Sequence, residues 1–300
     1  MSASNVITAL IPDLLIIVVG MALSKRFKPS LWQGLDALAY YVLFPALIFS
    51  AAATSAVTLQ EVGSLGVLVW SLLIAGCVIA WPLVRLSELS YTDFAGVWQT
   101  TWRFNSGLAF VVAQALPGDA LATMAVIVGL AVPVANILAV LVLSHRSDDN
   151  LVARIKIVLR NPFFIASATG ITASVLGAPL PEIPMQALSR IGSVAPVLIL
   201  IVIGAALDWR MLLKLRIFDL GLHTVKLLIL PAMAMALVTV AALSPYSAAA
   251  FIVFAALPTA TAAPTLASQF GADKKRVATV TVQSTMLSLG TLPFWLLVIS

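Results

Sequence analysis

Nine residues in this chain could do chemistry inside stretches that are otherwise apolar. Arg103, Asn105 and Ser106 lie in the run Gln99-Thr100-Thr101-Trp102-Arg103-Phe104-Asn105-Ser106-Gly107. Pro258, Thr259 and Thr261 lie in Ala256-Leu257-Pro258-Thr259-Ala260-Thr261-Ala262-Ala263-Pro264-Thr265, and Asp13, Asn136 and Lys226 stand alone. Proline inside a helix removes a backbone donor and clashes with the preceding turn, at a cost of about 3 kcal/mol. Asn, Ser and Thr offer the backbone competing hydrogen bonds. Both runs therefore read as broken helices. A half-helix that starts at the break points free N–H groups and about half a positive charge at whatever lies beyond it, which favours an anion. Arg103 beside Asn105 adds to that preference. Asp13 could carry a coupling proton, stay neutral, or pair with Lys226 or Arg103. Asn136 could reach the first break or bond a neighbouring helix.

The elements that must position these residues follow from composition. Of 300 residues, 61% are hydrophobic and 10% charged, against roughly 25% charged in a soluble domain. Apolar runs of about 20 residues suit a bilayer core of roughly 30 Å. They fall near 6–23, 32–53, 62–84, 94–116, 120–143, 157–176, 187–207, 218–242, 248–269 and 277–299, which predicts an all-α protein of ten crossings. Fourteen of the seventeen Lys and Arg residues sit in five short segments. These hold Lys25, Arg26 and Lys28; Arg85; Arg146, Arg154, Lys156 and Arg160; Arg210, Lys214 and Arg216; and Lys274, Lys275 and Arg276. The turns at 54–61, 117–119, 178–187 and 244–247 have no Lys or Arg. Basic loops stay cytoplasmic, so the alternation predicts both termini outside. The first apolar stretch runs straight into Lys25-Arg26 and reads as a retained helix rather than a cleaved signal peptide.

Only one long polar connector is present, at 144–156, and it divides the chain into halves of five crossings, 1–145 and 146–300. Five is odd, so similar halves would have opposite topology. Pro45-Ala46-Leu47-Ile48 is echoed by Pro196-Val197-Leu198-Ile199. Asn105 stands thirteen residues before Gly118, and Pro258 thirteen before Gly271. Two breaks at matched places of inverted halves mark the usual position of a substrate site. The pI near 9.6 comes from loop residues with apolar neighbours and does not indicate nucleic acid. His145 and His223 lack partners at ligand spacing, so no metal or other cofactor is expected. A lone Cys77 allows no internal disulfide. No constellation for an enzyme is present.

At these breaks the chain resembles the auxin efflux carrier family, in particular its bacterial members. The likeness is carried by Arg103-Phe104-Asn105-Ser106-Gly107, Arg160-Asn161-Pro162, the segment from Pro196 to Ile203-Gly204-Ala205-Ala206-Leu207, and Ala256-Leu257-Pro258 with Phe270-Gly271 beyond. It implies two inverted five-helix repeats with crossovers in helices four and nine. It also implies a scaffold of helices one, two, six and seven beside a moving transport unit of helices three to five and eight to ten. The function it implies is secondary transport of small organic anions, carboxylates such as malonate or malate or auxin-like acids, by alternating access across a bacterial inner membrane. Protons are a candidate coupling ion, through Asp13 or Lys226, and a homodimer is left open. Phe104 and Phe163 stand where plant members have Pro and Asn, which argues against auxin itself. A sodium-coupled symporter of the bile-acid type and a non-transporting membrane sensor are the alternatives. The first lacks a Glu near the breaks, and the second lacks a signalling domain.

Overall fold

Helices account for 82% of the computed structural model, and the described residues contain no strand. It describes residues 3–54, 58–143, 160–241 and 243–299, with backbone alone for 3–10. In chain order the helices are α1 (Ala3–Leu23), α2 (Pro29–Ala53), α3 (Leu59–Leu86), α4 (Tyr91–Trp98), α5 (Ser106–Gln114), α6 (Ala120–Leu143), α7 (Pro162–Val175), α8 (Glu182–Ala206), α9 (Ile217–Val238), α10 (Pro245–Ala256), α11 (Ala263–Gln269) and α12 (Lys274–Val298). Six of them, α2, α3, α6, α8, α9 and α12, are long and apolar enough to cross a membrane. The connector 144–156 lies outside the described residues.

Local sequence sets the helix ends. Asn161 accepts from the N–H groups of Phe163 and Phe164, ahead of Pro162 at the first helical position. Ser244 before Pro245 and Asp273 before Lys274 cap α10 and α12 in the same manner. Such caps satisfy donors that a helix start leaves orphaned. Gly118 and Gly271 have φ of 66° and 83°, a left-handed conformation that suits glycine.

Prolines shape the interiors. Ala39–Leu43 in α2 and Val225–Ile229 in α9 are π-helical turns, lying just before Pro45 and Pro231. A proline cannot donate to the carbonyl four residues earlier. The carbonyl of Leu227, four before Pro231, instead accepts from the Trp295 indole at 2.8 Å.

Helix packing falls into two sets. α1 lies along Ala195–Ala206 of α8, and α2 lies along α7 and Glu182–Ser193 of α8. α3 packs on α6, α10 on α6 and α9, and α11 on α12. α6 bridges the two sets, since it packs on α7 as extensively as on α3 and also on α2. The α1–α8 crossing needs bare backbone: a Cβ on Gly20 would stand 2.1 Å from the Ile201 carbonyl oxygen, and one on Gly204 2.0 Å from that of Ile17. Small residues let membrane helices approach this closely.

Candidate functional site

The predicted breaks are present, and the two broken segments touch there. α4 stops at Trp98, a 3₁₀ turn follows over Gln99–Thr101, and Asn105 is extended (φ −75°, ψ 92°) before α5 begins. α10 stops at Ala256 and Leu257 is extended (φ −65°, ψ 149°), with Pro264 in the first turn of α11. The Asn105 N–H donates to the Pro258 carbonyl at 2.9 Å. The Gln99 amide reaches the Ala263 carbonyl at 3.4 Å, and the Thr259 N–H donates to Ser284 Oγ at 3.2 Å. Backbone groups freed by one break are thus satisfied by the other break and by α12.

Asn105 is buried and works in two directions. Its Oδ1 caps α5 by accepting from the Leu108 N–H at 3.0 Å, while its Nδ2 has no partner. Thr259 is fully buried with an unpartnered Oγ1. Pro258 is buried, Ser106 is half-buried at the start of α5, and Thr261 is exposed in the second break, apart from the buried group. α5 and α11 both begin at the breaks, and α11 has only seven residues.

Two cations are buried here. Arg103 donates through Nη1 to Gln99 Oε1 at 2.9 Å and through Nη2 to Asn136 Oδ1 at 2.8 Å. Asn136, three residues after Pro133 on α6, therefore reaches the first break through Arg103. Lys226 lies in the π turn of α9, 1% exposed, with its Nζ 2.8 Å from the centroid of the Phe104 ring and without a hydrogen-bond partner. Neither cation pairs with Asp13. The ion pair found among the described residues joins Arg276 to Asp219. Asp13 instead lines a cleft of ≈ 550 Å³, open side included, between α1, α5, α8 and α12. Leu108, Ile203, Thr285 and Ser288 are among its other walls. Helix register across four elements decides such pairing, and spacing along the chain does not reveal it.

Gln99 is the residue that the sequence did not single out. Its carbonyl accepts from the Arg103 N–H at 3.1 Å, and its side chain bonds both Arg103 and the start of α11. Gln283 on α12 donates to the Met211 carbonyl and contacts His223. Ser247, expected in an outer turn, is buried and bonded to Glu61. No group of three His, Cys, Asp or Glu among the described residues could hold a metal ion.

An all-helical protein with six apolar spans and two broken helices in contact has the build of a membrane transport protein. The family model for membrane transport proteins, the auxin efflux carrier family domain, matches residues 151–296. That segment is similar to the family, as the resemblance at the breaks led us to expect. A comparison with curated proteins found no match.

Proposed function

We propose that the protein is a secondary transporter of small organic anions, working by alternating access with the crossing of the two breaks as its substrate site. The carrying observation is that crossing itself. Asn105 Nδ2 and Thr259 Oγ1 are buried donors without acceptors, beside a fixed guanidinium that no described carboxylate neutralises. An unpaired buried donor costs about 1–3 kcal/mol, and a carboxylate oxygen supplies the missing acceptor.

In this reading the broken helices each count as one crossing, giving ten. The halves 1–145 and 146–300 are inverted repeats. α1, α2, α7 and α8 form the scaffold, while α3–α6 and α9–α12 move past it; the two packing sets support that division. The Asp13 cleft lies between members of the two sets and provides the approach. Both termini face outward from a bacterial inner membrane. Sodium coupling is less favoured, because the side-chain oxygens of Gln99 and Asn136 already accept from Arg103 and a guanidinium repels a second cation.

A thermal-shift series on the purified protein tests the reading. Malonate, malate and other mono- and dicarboxylates are compared with their uncharged amides. A carboxylate present at a hundred times its Kd is expected to stabilise by about 2.7 kcal/mol, and the matching amide by far less. A panel with no shift, or with equal shifts from the amides, contradicts it.

A further inference from the structure

Lys226 is the buried charge for which the fold provides nothing. It is 1% exposed, and its Nζ has no hydrogen-bond partner and faces the Phe104 ring. Arg103 differs, because two side-chain oxygens hold it. An aromatic face repays only part of what it costs to take an ammonium out of water. A lysine nitrogen can give up and take back a proton, which a guanidinium does not do.

The neighbours offer no substitute anion. The elements packed against the Val225–Ile229 turn are the rest of α9, α3, α10, α12 and the Gln99–Thr101 turn. Their titratable and charged groups are Asp219 and His223 on α9, Glu61, Cys77 and Arg85 on α3, Tyr246 on α10, and Lys274, Lys275 and Arg276 on α12. Asp219 is held by Arg276, Glu61 bonds Ser247, and His223 contacts Gln283. What does lie near Lys226 is the crossing itself. Phe104, over which Nζ sits, precedes Asn105, and Asn105 bonds Pro258. The orphan donors Asn105 Nδ2 and Thr259 Oγ1 flank that bond.

We propose that Lys226 carries the proton that travels with the substrate, so that one carboxylate and one proton cross together. The inference rests on the crossing being an anion site. On the loading side the Nζ amine takes a proton from water, and the resulting ammonium pairs with the arriving carboxylate. On the far side the carboxylate leaves, the proton returns to water and the amine is restored. No other bond changes. A monocarboxylate is then carried without net charge, and each additional carboxylate group carries one negative charge with it.

The test uses proteoliposomes, radiolabelled malonate and a luminal pH dye. Wild type is expected to acidify the lumen as malonate enters, and, with the membrane potential clamped at zero, an inward gradient of one pH unit should raise malonate accumulation by about tenfold. Lys226→Arg keeps a cation that does not deprotonate. Whatever malonate flux this variant keeps should bring neither the acidification nor the response to the gradient. Lys226→Met provides a second measurement of proton movement should the arginine not fit. Proton movement that survives in either variant overturns the proposal, with Asp13 then the group to examine. The wild-type experiment discriminates by itself. If malonate moves without protons, this proposal falls and the anion-transport reading stands. If no carboxylate that binds is moved at all, that reading falls and takes the proposal with it.

Discussion

Arg103 and Lys226 flank the same crossing but are held in opposite ways, and that contrast assigns their roles. The Arg103 fork is committed to Gln99 and Asn136. It fixes the first break against α6 and supplies a steady positive field, which makes it a positioning residue. Its removal should therefore not be independent of its partner's. In a double-mutant cycle with Arg103→Met and Asn136→Leu, followed by thermal unfolding in detergent, a coupling of about 0.5–3 kcal/mol is expected. Strictly additive losses would separate the two residues. At this scale the sequence was informative where polarity is rare: Arg103, Asn105 and Asn136 stand out in an apolar chain because burying them is costly. It was silent on direction. Thr261 and Thr259 are two residues apart in irregular backbone, where no periodicity assigns a face, and one is exposed while the other is fully buried.

Among the elements, breaks and glycines matter more than helix propensity. The interruptions in α4–α5 and α10–α11 were legible because Pro258, Asn105 and the Thr-rich runs are poor helix formers in any context. The π turns before Pro45 and Pro231 were not, since a proline in a membrane helix can equally give a simple kink. The α1–α8 crossing was also hidden, because a glycine in the sequence does not name its neighbour. It can be checked directly. Gly204→Ala would place its Cβ 2.0 Å from the Ile17 carbonyl oxygen, whereas Gly63 has nothing within 4 Å. Overpacking of this kind costs about 1–3 kcal/mol, so Gly204→Ala should lower the melting temperature. Gly63→Ala should leave it unchanged or raise it. Equal behaviour of the two would mean that α1 and α8 are not in backbone contact.

For the whole molecule, charge placement gives the orientation. Pro117 and Lys275 are both exposed, one in a turn without basic residues and the other in the basic first turn of α12. With Cys77→Ala as background, Pro117→Cys should react with an impermeant thiol reagent in intact cells. Lys275→Cys should react only after permeabilisation, and the reverse pattern would invert the topology. Composition made the membrane class legible because a soluble protein of this size has no place for so much apolar surface. Helix packing remained out of reach, since inside a bilayer hydrophobicity does not choose partners. The central claim is that the crossing of the two broken helices binds the transported anion. Its most direct test is the initial rate of uptake, down its own gradient, of the best-binding carboxylate into proteoliposomes of wild type and Asn105→Asp. The aspartate can still cap α5, but it exchanges the orphan Nδ2 donor for a negative charge. Uptake should fall by at least about tenfold, or about 1.4 kcal/mol, with the melting temperature of the empty protein unchanged. Uptake that is undiminished in Asn105→Asp would show that the anion crosses elsewhere.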